Sequence, residues 1–220
     1  MIKRKSPIFI AGQDTIIGKS LIRYLKKKHY KNVVNFDYLA PKLTDSRMVK
    51  KYFLKTKPEF VFMLGGLSGG IKMNQDSPAS LMMDNLESMI NIFKNAYENR
   101  VKKIFFLASS CVYPKDNQQP MNPKDIMSGY LEPTNSSYAM AKLAGIELCR
   151  AYRKEFGENY ISAIPTNIFG PYDNFNKEES HVIPALIRKI YEAKIKNEKD
   201  ISIWGTGLPL REFIYVDDLA

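Results

Sequence analysis

Short continuous apolar runs alternate along the chain with longer stretches in which apolar residues return every three or four positions. The runs at 7–12 (PIFIAG), 32–36 (NVVNF), 60–64 (FVFML), 103–109 (KIFFLAS), 160–166 (YISAIPT) and 201–205 (ISIWG) predict strands. Between them, helices are predicted over about 16–28, 44–55, 79–98, 135–156 and 181–196. In the first, Ile17, Leu21, Ile22 and Leu25 share one face; in the second, Met48, Val49, Tyr52 and Phe53 do. Strands that are apolar throughout are buried on both faces. Their alternation with helices predicts an α/β fold, a Rossmann-like doubly wound parallel sheet. Ligands of such sheets bind beyond the carboxyl ends of the strands, so the residues after each strand are the candidates for chemistry.

Composition narrows the picture. The 220 residues suffice for one domain plus part of a second. The expected division is a dinucleotide-binding domain over 1–166 and a partial substrate-binding region over 167–220. The apolar runs are too short to span a bilayer, so no membrane partner is expected. The opening MIKRKSPIFIAG is basic then apolar but lacks a small-residue cleavage site, and reads as a first strand. Two cysteines, Cys111 and Cys149, give no disulfide framework and fit a reducing cytoplasm. The net charge of +10 comes from basic clusters at 3–5, 26–28, 50–51 and 102–103. These are scattered and lack interleaved aromatics, which argues against nucleic acid as a partner.

Two stretches carry candidate chemistry. "AGQDTIIG" (11–18) lies between the first strand and the first helix, where a glycine loop turns backbone N–H groups toward a pyrophosphate. It keeps Gly12 and Gly18 but holds Thr15 in the middle. Asp37, at the end of the second predicted strand, could accept the ribose hydroxyls of an adenosine. This placement alone does not separate a cofactor loop from an ordinary turn. "SSYAMAKLAG" (136–145) sets Tyr138 and Lys142 one helical turn apart on one face. Such a pair is common by chance. It gains weight from Ser109, Ser110 and Cys111 at the end of the fourth strand and from "PTNIFGPYDNF" (165–175) after the fifth.

On "SSCVYP", "LEPTNSSYAMAKLAGIELC", "PTNIFGPYDNFN", "SHVIPALIRK" and "WGTGLPLREFIYVDDLA" the chain resembles the GDP-L-fucose synthases, a family of extended short-chain dehydrogenase/reductases. The resemblance runs through nearly the whole chain and is strongest after residue 104. It implies 3,5-epimerisation of a GDP-linked 4-keto-6-deoxy sugar followed by reduction at C4. It assigns Cys111 and His181 to proton exchange, and Tyr138, Lys142 and Ser109 to the reduction, with the Lys142 ammonium expected to lower the Tyr138 hydroxyl and to bond the nicotinamide ribose. It also implies NADP(H) against Gly12, Asp14, Thr15, Gly18, Asp37, Leu107, Ser109, Ser110, Tyr138, Lys142, Pro165, Asn167, Ile168 and His181. Lys189 and Arg211 would meet the diphosphate of the GDP-sugar, with Trp204 nearby. A homodimer through the 79–98 and 135–156 helices is expected, with Leu86, Met89, Ile90 and Phe93 on its face, and no metal.

Three features depart from the family. Thr15 stands where the family has glycine, and a β-branched residue resists φ > 0. Asp14 and Asp37 would repel the 2′-phosphate of NADP and so favour NAD(H). The chain ends at Ala220, whereas the family continues, so the sugar-binding lobe is expected to be incomplete. A non-catalytic nucleotide-binding remnant is the alternative, and a 4-epimerase or 4,6-dehydratase a weaker one.

Overall fold

A computed structural model describes residues 2–176, 180–203 and 205–220. Its main sheet is parallel, with β1 (Ile8–Ala11), β2 (Phe60–Met63), β3 (Lys103–Leu107) and β4 (Tyr160–Ala163) side by side in that order. Helices α1 (Ile16–Lys27), α2 (Ser46–Thr56), α3 (Ile71–Asp76), α4 (Pro78–Glu98) and α5 (Ser136–Phe156) fall between and around the strands. β5 (Asn167–Phe169), α6 (Val182–Lys196), β6 (Phe213–Tyr215) and α7 (Val216–Leu219) complete the order, with β5 and β6 forming a separate two-stranded parallel sheet. Among the described residues no helix is long and apolar enough to cross a membrane.

α2, α4 and α5 cover one face of the main sheet, and α1 and α7 cover β1 on the other; Phe62, Phe105 and Ile161 are only half-buried, and Ser162 of the edge strand β4 is exposed. Side chains alternate along β1. Ile8 and Ile10 pack with Ile17, Leu21 and Leu25 of α1 and with Val216 of α7. Phe9 and Ala11 join the other core, with Val49, Tyr52 and Phe53 of α2 and Ile92 and Phe93 of α4. The Phe9 ring lies 4.7 Å from that of Tyr52 and 5.7 Å, edge-on, from that of Phe53. Gly145 lets α5 sit close to the sheet, since a Cβ there would come within 2.2 Å of Phe106 Cζ. On α4, Met89 and Phe93 are buried and Leu86 packs against the same core. Of the four residues expected on a dimer face, only Ile90 points outward, at 53% exposure.

Two predicted strands do not form. Over 32–36 the only pairing is an isolated bridge from Val33 to Ile8, and Val34–Phe36 closes into a 3-10 turn. Asn35 replaces the missing ladder with its side chain. Its Oδ1 accepts from the Ile10 N–H at 2.7 Å, and its Nδ2 donates to the Ile10 carbonyl at 3.1 Å and to Gln13 Oε1 at 2.8 Å. A carboxamide carries the same donor and acceptor as a peptide group, so β1 stays satisfied on that edge without a second strand. Asp37 therefore follows a 3-10 turn and does not end a strand. Over 201–203 there is likewise no strand, and Trp204 lies outside the described residues. Strand-like composition forms a ladder only where a partner edge is available. Here β5 takes β6, with Asn167 opposite Phe213, as its partner. The 160–166 run correspondingly splits into β4 and the approach to β5.

α7 is clamped to α1. Val216 is fully buried, and Asp217 accepts from the Ser20 hydroxyl and the Arg23 guanidinium. These contacts, the Ser20 bond foremost, hold the Asp217 carboxyl below its usual range.

Candidate active site

The chain enters the site at the carboxyl end of β1. There β1 lies between the Val33 bridge on one side and β2 on the other, the switch point at which open parallel sheets bind ligands. Gly12 has φ +108°, and a Cβ on it would stand 2.3 Å from the Gly65 N atom of the loop after β2. A Cβ at Gly18 would stand 2.0 Å from the Gly12 carbonyl oxygen. Both glycines are thus required by close approaches of backbone to backbone.

Thr15 does not damage this loop, contrary to the expectation from its β-branch. Its φ is −71°, an ordinary extended value. It is the N-cap of α1: its Oγ1 accepts from the Gly18 N–H at 3.0 Å and donates to the Gly12 carbonyl at 2.7 Å. The N–H groups of Ile16 and Ile17, in the first turn of the helix, have no intrahelical acceptor. They leave a helix N-terminus available to an anion, and the loop fits a dinucleotide pyrophosphate. Asp14 and Asp37 are both exposed.

Beyond β3, Leu107 and Ala108 are buried and Ser109 caps a 3-10 turn at Ser110–Val112, accepting the Cys111 N–H at 3.4 Å. α5 brings the Tyr138 hydroxyl near Ser109 and Cys111. Burial pushes the Tyr138 hydroxyl well up, nearby Cys111 adds to this, and Ser109 opposes it. The phenol therefore stays protonated at any physiological pH and is available as an acid. Lys142, one turn on, is only 6% exposed. Its Nζ lies 5.5 Å from the centre of the Tyr138 ring and 5.4 Å from that of Phe106. Burial lowers its ammonium to about 8, against the pull of Asp84. The expectation that Lys142 lowers the Tyr138 hydroxyl does not hold in this geometry, where burial prevails and Ser109 is the opposing group.

Several residues here carry no motif signal. Asn135 donates from Nδ2 to Cys111 Sγ at 3.3 Å. Asp84 Oδ1 accepts the Leu67 N–H at 2.9 Å, and Asn85 Nδ2 donates to the Leu67 carbonyl at 2.7 Å. Together they tie the loop after β2 to α4. Gly66, at φ +121°, has no room for a Cβ beside Asn85 Oδ1. The "GGLSGG" stretch directly behind β2 was the available clue to a second glycine loop.

The remaining candidates follow β4 in the chain. His181 is the exposed N-cap of α6; burial raises the Asp173 carboxyl, opposed first by the Asn174 N–H it accepts at 2.8 Å and then by nearby His181. Tyr172, next to Asp173, stacks under Lys19 and Arg23 of α1 at 5.7 and 5.2 Å. Lys189 donates to the Ser202 carbonyl at 3.0 Å, and Arg211 to the Leu210 carbonyl at 2.8 Å. Each holds a local backbone oxygen. Asn167 binds the Glu212 carbonyl, Ile168 pairs with Ile214, and Pro165 sits in the loop before them. Among the described residues no group of His, Cys, Asp and Glu could hold a metal ion.

A glycine loop at the switch point of a parallel sheet, with a Ser–Tyr–Lys cluster at a neighbouring strand end, defines a Rossmann-like dinucleotide-binding protein of the short-chain dehydrogenase/reductase type. The chain belongs to the NAD dependent epimerase/dehydratase family, which it matches over residues 8–220. It is 43% identical to GDP-L-fucose synthase 1 of Arabidopsis thaliana, over 100% of this chain and 68% of that protein. It is 45% identical to the GDP-L-fucose synthase of Sinorhizobium fredii, over 97% of this chain and 68% of that one. Its structure superposes on a GDP-L-fucose synthetase of Naegleria fowleri bound to NADP with a TM-score of 0.85 and 32% identity, over 100% of this chain and 72% of that chain.

Proposed function

We propose that the chain carries out GDP-L-fucose synthase chemistry, or the same chemistry on a related GDP-4-keto sugar. The observation that carries this reading is the placement of α5 at the end of β3: its Lys142 Nζ lies 5.5 Å from the Tyr138 ring centre, and its N-cap Asn135 touches Cys111 in the turn that Ser109 caps. Protons on the carbons flanking a ketone are acidic because the enolate places its charge on oxygen. Cys111 and His181 exchange those protons, and the two centres invert. Ser109 and Tyr138 hydrogen-bond the ketone oxygen, and Tyr138 gives it a proton as negative charge develops there. When bound, a reduced nicotinamide dinucleotide supplies the hydride.

Residues 1–166 hold that dinucleotide, with Leu107, Ser110, Pro165, Asn167 and Ile168 toward the nicotinamide. Residues 167–220 contribute to the GDP-sugar site through Lys189 and Arg211. Both cysteines are free, in keeping with a reducing cytoplasm. The test is incubation with GDP-4-keto-6-deoxymannose and reduced cofactor in deuterium oxide. The expected result is cofactor oxidation with deuterium at both flanking carbons, and a Tyr138→Phe variant that keeps deuterium uptake but loses reduction. Absence of both reactions in the unaltered protein overturns the reading.

At the adenosine end we propose that NADH serves at least as well as NADPH. Asp14 and Asp37 are exposed carboxylates in and near the loop, and two negative charges repel an added phosphate. Dissociation constants for both cofactors check this. Asp14→Arg should tighten NADPH and leave NADH within about twofold; a preference for NADPH that the variant does not change would end the charge argument. The functional unit is proposed to be a homodimer through α4 and α5.

A further inference from the structure

Asn135 stands at the N-cap of α5, immediately before Ser136. Asparagine is among the best residues for that position because its side-chain oxygen can accept a first-turn N–H. Here it makes no cap bond. Its Nδ2 instead points at Cys111 Sγ, 3.3 Å away, and its Oδ1 is buried without a partner. A cap residue that forgoes capping, and leaves an acceptor unsatisfied to do so, has been aimed at something else.

We propose that Asn135 is a positioning residue for Cys111, whose amide N–H supports negative charge on the sulfur and fixes its direction. This rests on the proposed role of Cys111 in proton exchange. In that step the substrate C–H bond breaks, its electron pair moves into the enolate, and the proton passes to the sulfur. An N–H donor stabilises the sulfur as an anion and is released as the S–H bond forms. The N-terminus of the 21-residue helix α5 lies on the same side and favours negative charge there as well. The charged and titratable groups on the elements around Cys111 include Tyr113 at the end of its own turn, near Asp125, Tyr138 and Lys142 on α5, and Glu132 ahead of the 133–135 turn, paired with Lys115 at 3.7 Å. Tyr138 and Lys142 also occur in the Asn135 variants, so a difference between variants reports the amide.

The test measures alkylation of Cys111 by iodoacetamide as a function of pH, located by peptide mass, with thiolate absorbance titrated in parallel because it needs no reagent access. Cys149 does not compete: it is buried, and burial pushes its thiol up to about 12. In Asn135→Leu the profile should move about one pH unit to the alkaline side, with alkylation near neutrality about tenfold slower. In Asn135→Asp it should move at least as far. That variant places a good cap residue on α5, so its thermal midpoint should be equal to or above that of the unaltered protein. A purely structural role would link reactivity to stability; this role separates them. Unchanged profiles in both variants, or a shift to the acid side in Asn135→Leu, would overturn the proposal, the latter showing that the carbonyl oxygen faces the S–H. Neither readout uses substrate, so failure here is distinct from failure of the proposed reaction.

Discussion

Lys142 is the costliest residue of the site to bury. Its ammonium is lowered from 10.5 to about 8, which corresponds to about 3 kcal/mol of disfavoured charge. That figure is already net of the pull of Asp84; the faces of Tyr138 and Phe106 lie 5.5 and 5.4 Å from the ammonium. Lys142→Met should therefore raise stability at pH 7, by about 1–3 kcal/mol, while removing activity. The pH dependence fixes the cause. Between about pH 8 and 10.5 the folded lysine is neutral while the unfolded chain still binds the proton, so the unaltered protein gains stability with rising pH. The advantage of the variant is full below about pH 8 and shrinks across that window. Urea unfolding at pH 7 and pH 10 checks it; an advantage that grows with pH would place the lysine charge in a favourable setting.

At the level of elements, Asn35 shows a strand exchanged for one side chain. It satisfies both peptide groups of the buried residue Ile10 and reaches Gln13 in the cofactor loop. Asn35→Leu leaves the Ile10 N–H without a partner and should cost about 1–3 kcal/mol by chemical unfolding, with weaker dinucleotide binding as the loop loosens. A loss below about 0.5 kcal/mol would mean that water or a shifted backbone takes over the bond. The same residue marks the limit of what the chain discloses in one dimension. β1, β2 and β3 are legible as continuous apolar runs, and the long helices because each buries an apolar face at helical spacing. Ser109, Tyr138 and Lys142 are legible because they lie at a strand end and at helical spacing. β5 and β6 are three residues each, and their pairing spans more than forty positions, so no local pattern announces them. Asn135, Asp84 and Asn85 read as solvent-facing polar residues until the fold brings their partners against them.

Over the whole molecule, α4 presents Met83, Ile90 and Tyr97 to solvent at a seven-residue spacing, each 39–53% exposed. Tyr97 stacks on Phe156 of α5 at 4.6 Å between ring centres, and Met140 adds a further exposed apolar group on that helix. Such a stripe lies along one side of a helix while the opposite side, through Met89 and Phe93, covers the sheet. Two copies packed through α4 and α5 would bury it. They would also brace the helix that carries Tyr138 and Lys142, because Met140 lies between those two residues in sequence but is exposed where Lys142 is buried. Light scattering at micromolar concentration should find a dimer. Ile90→Arg should give a folded monomer, since an exposed position tolerates the charge in the monomer and an apolar interface does not. A monomeric unaltered protein, or an Ile90→Arg variant that remains dimeric, would place the interface elsewhere. A monomer that keeps its thermal midpoint but turns over more slowly would show that the second copy holds α5 in place for the chemistry rather than for folding.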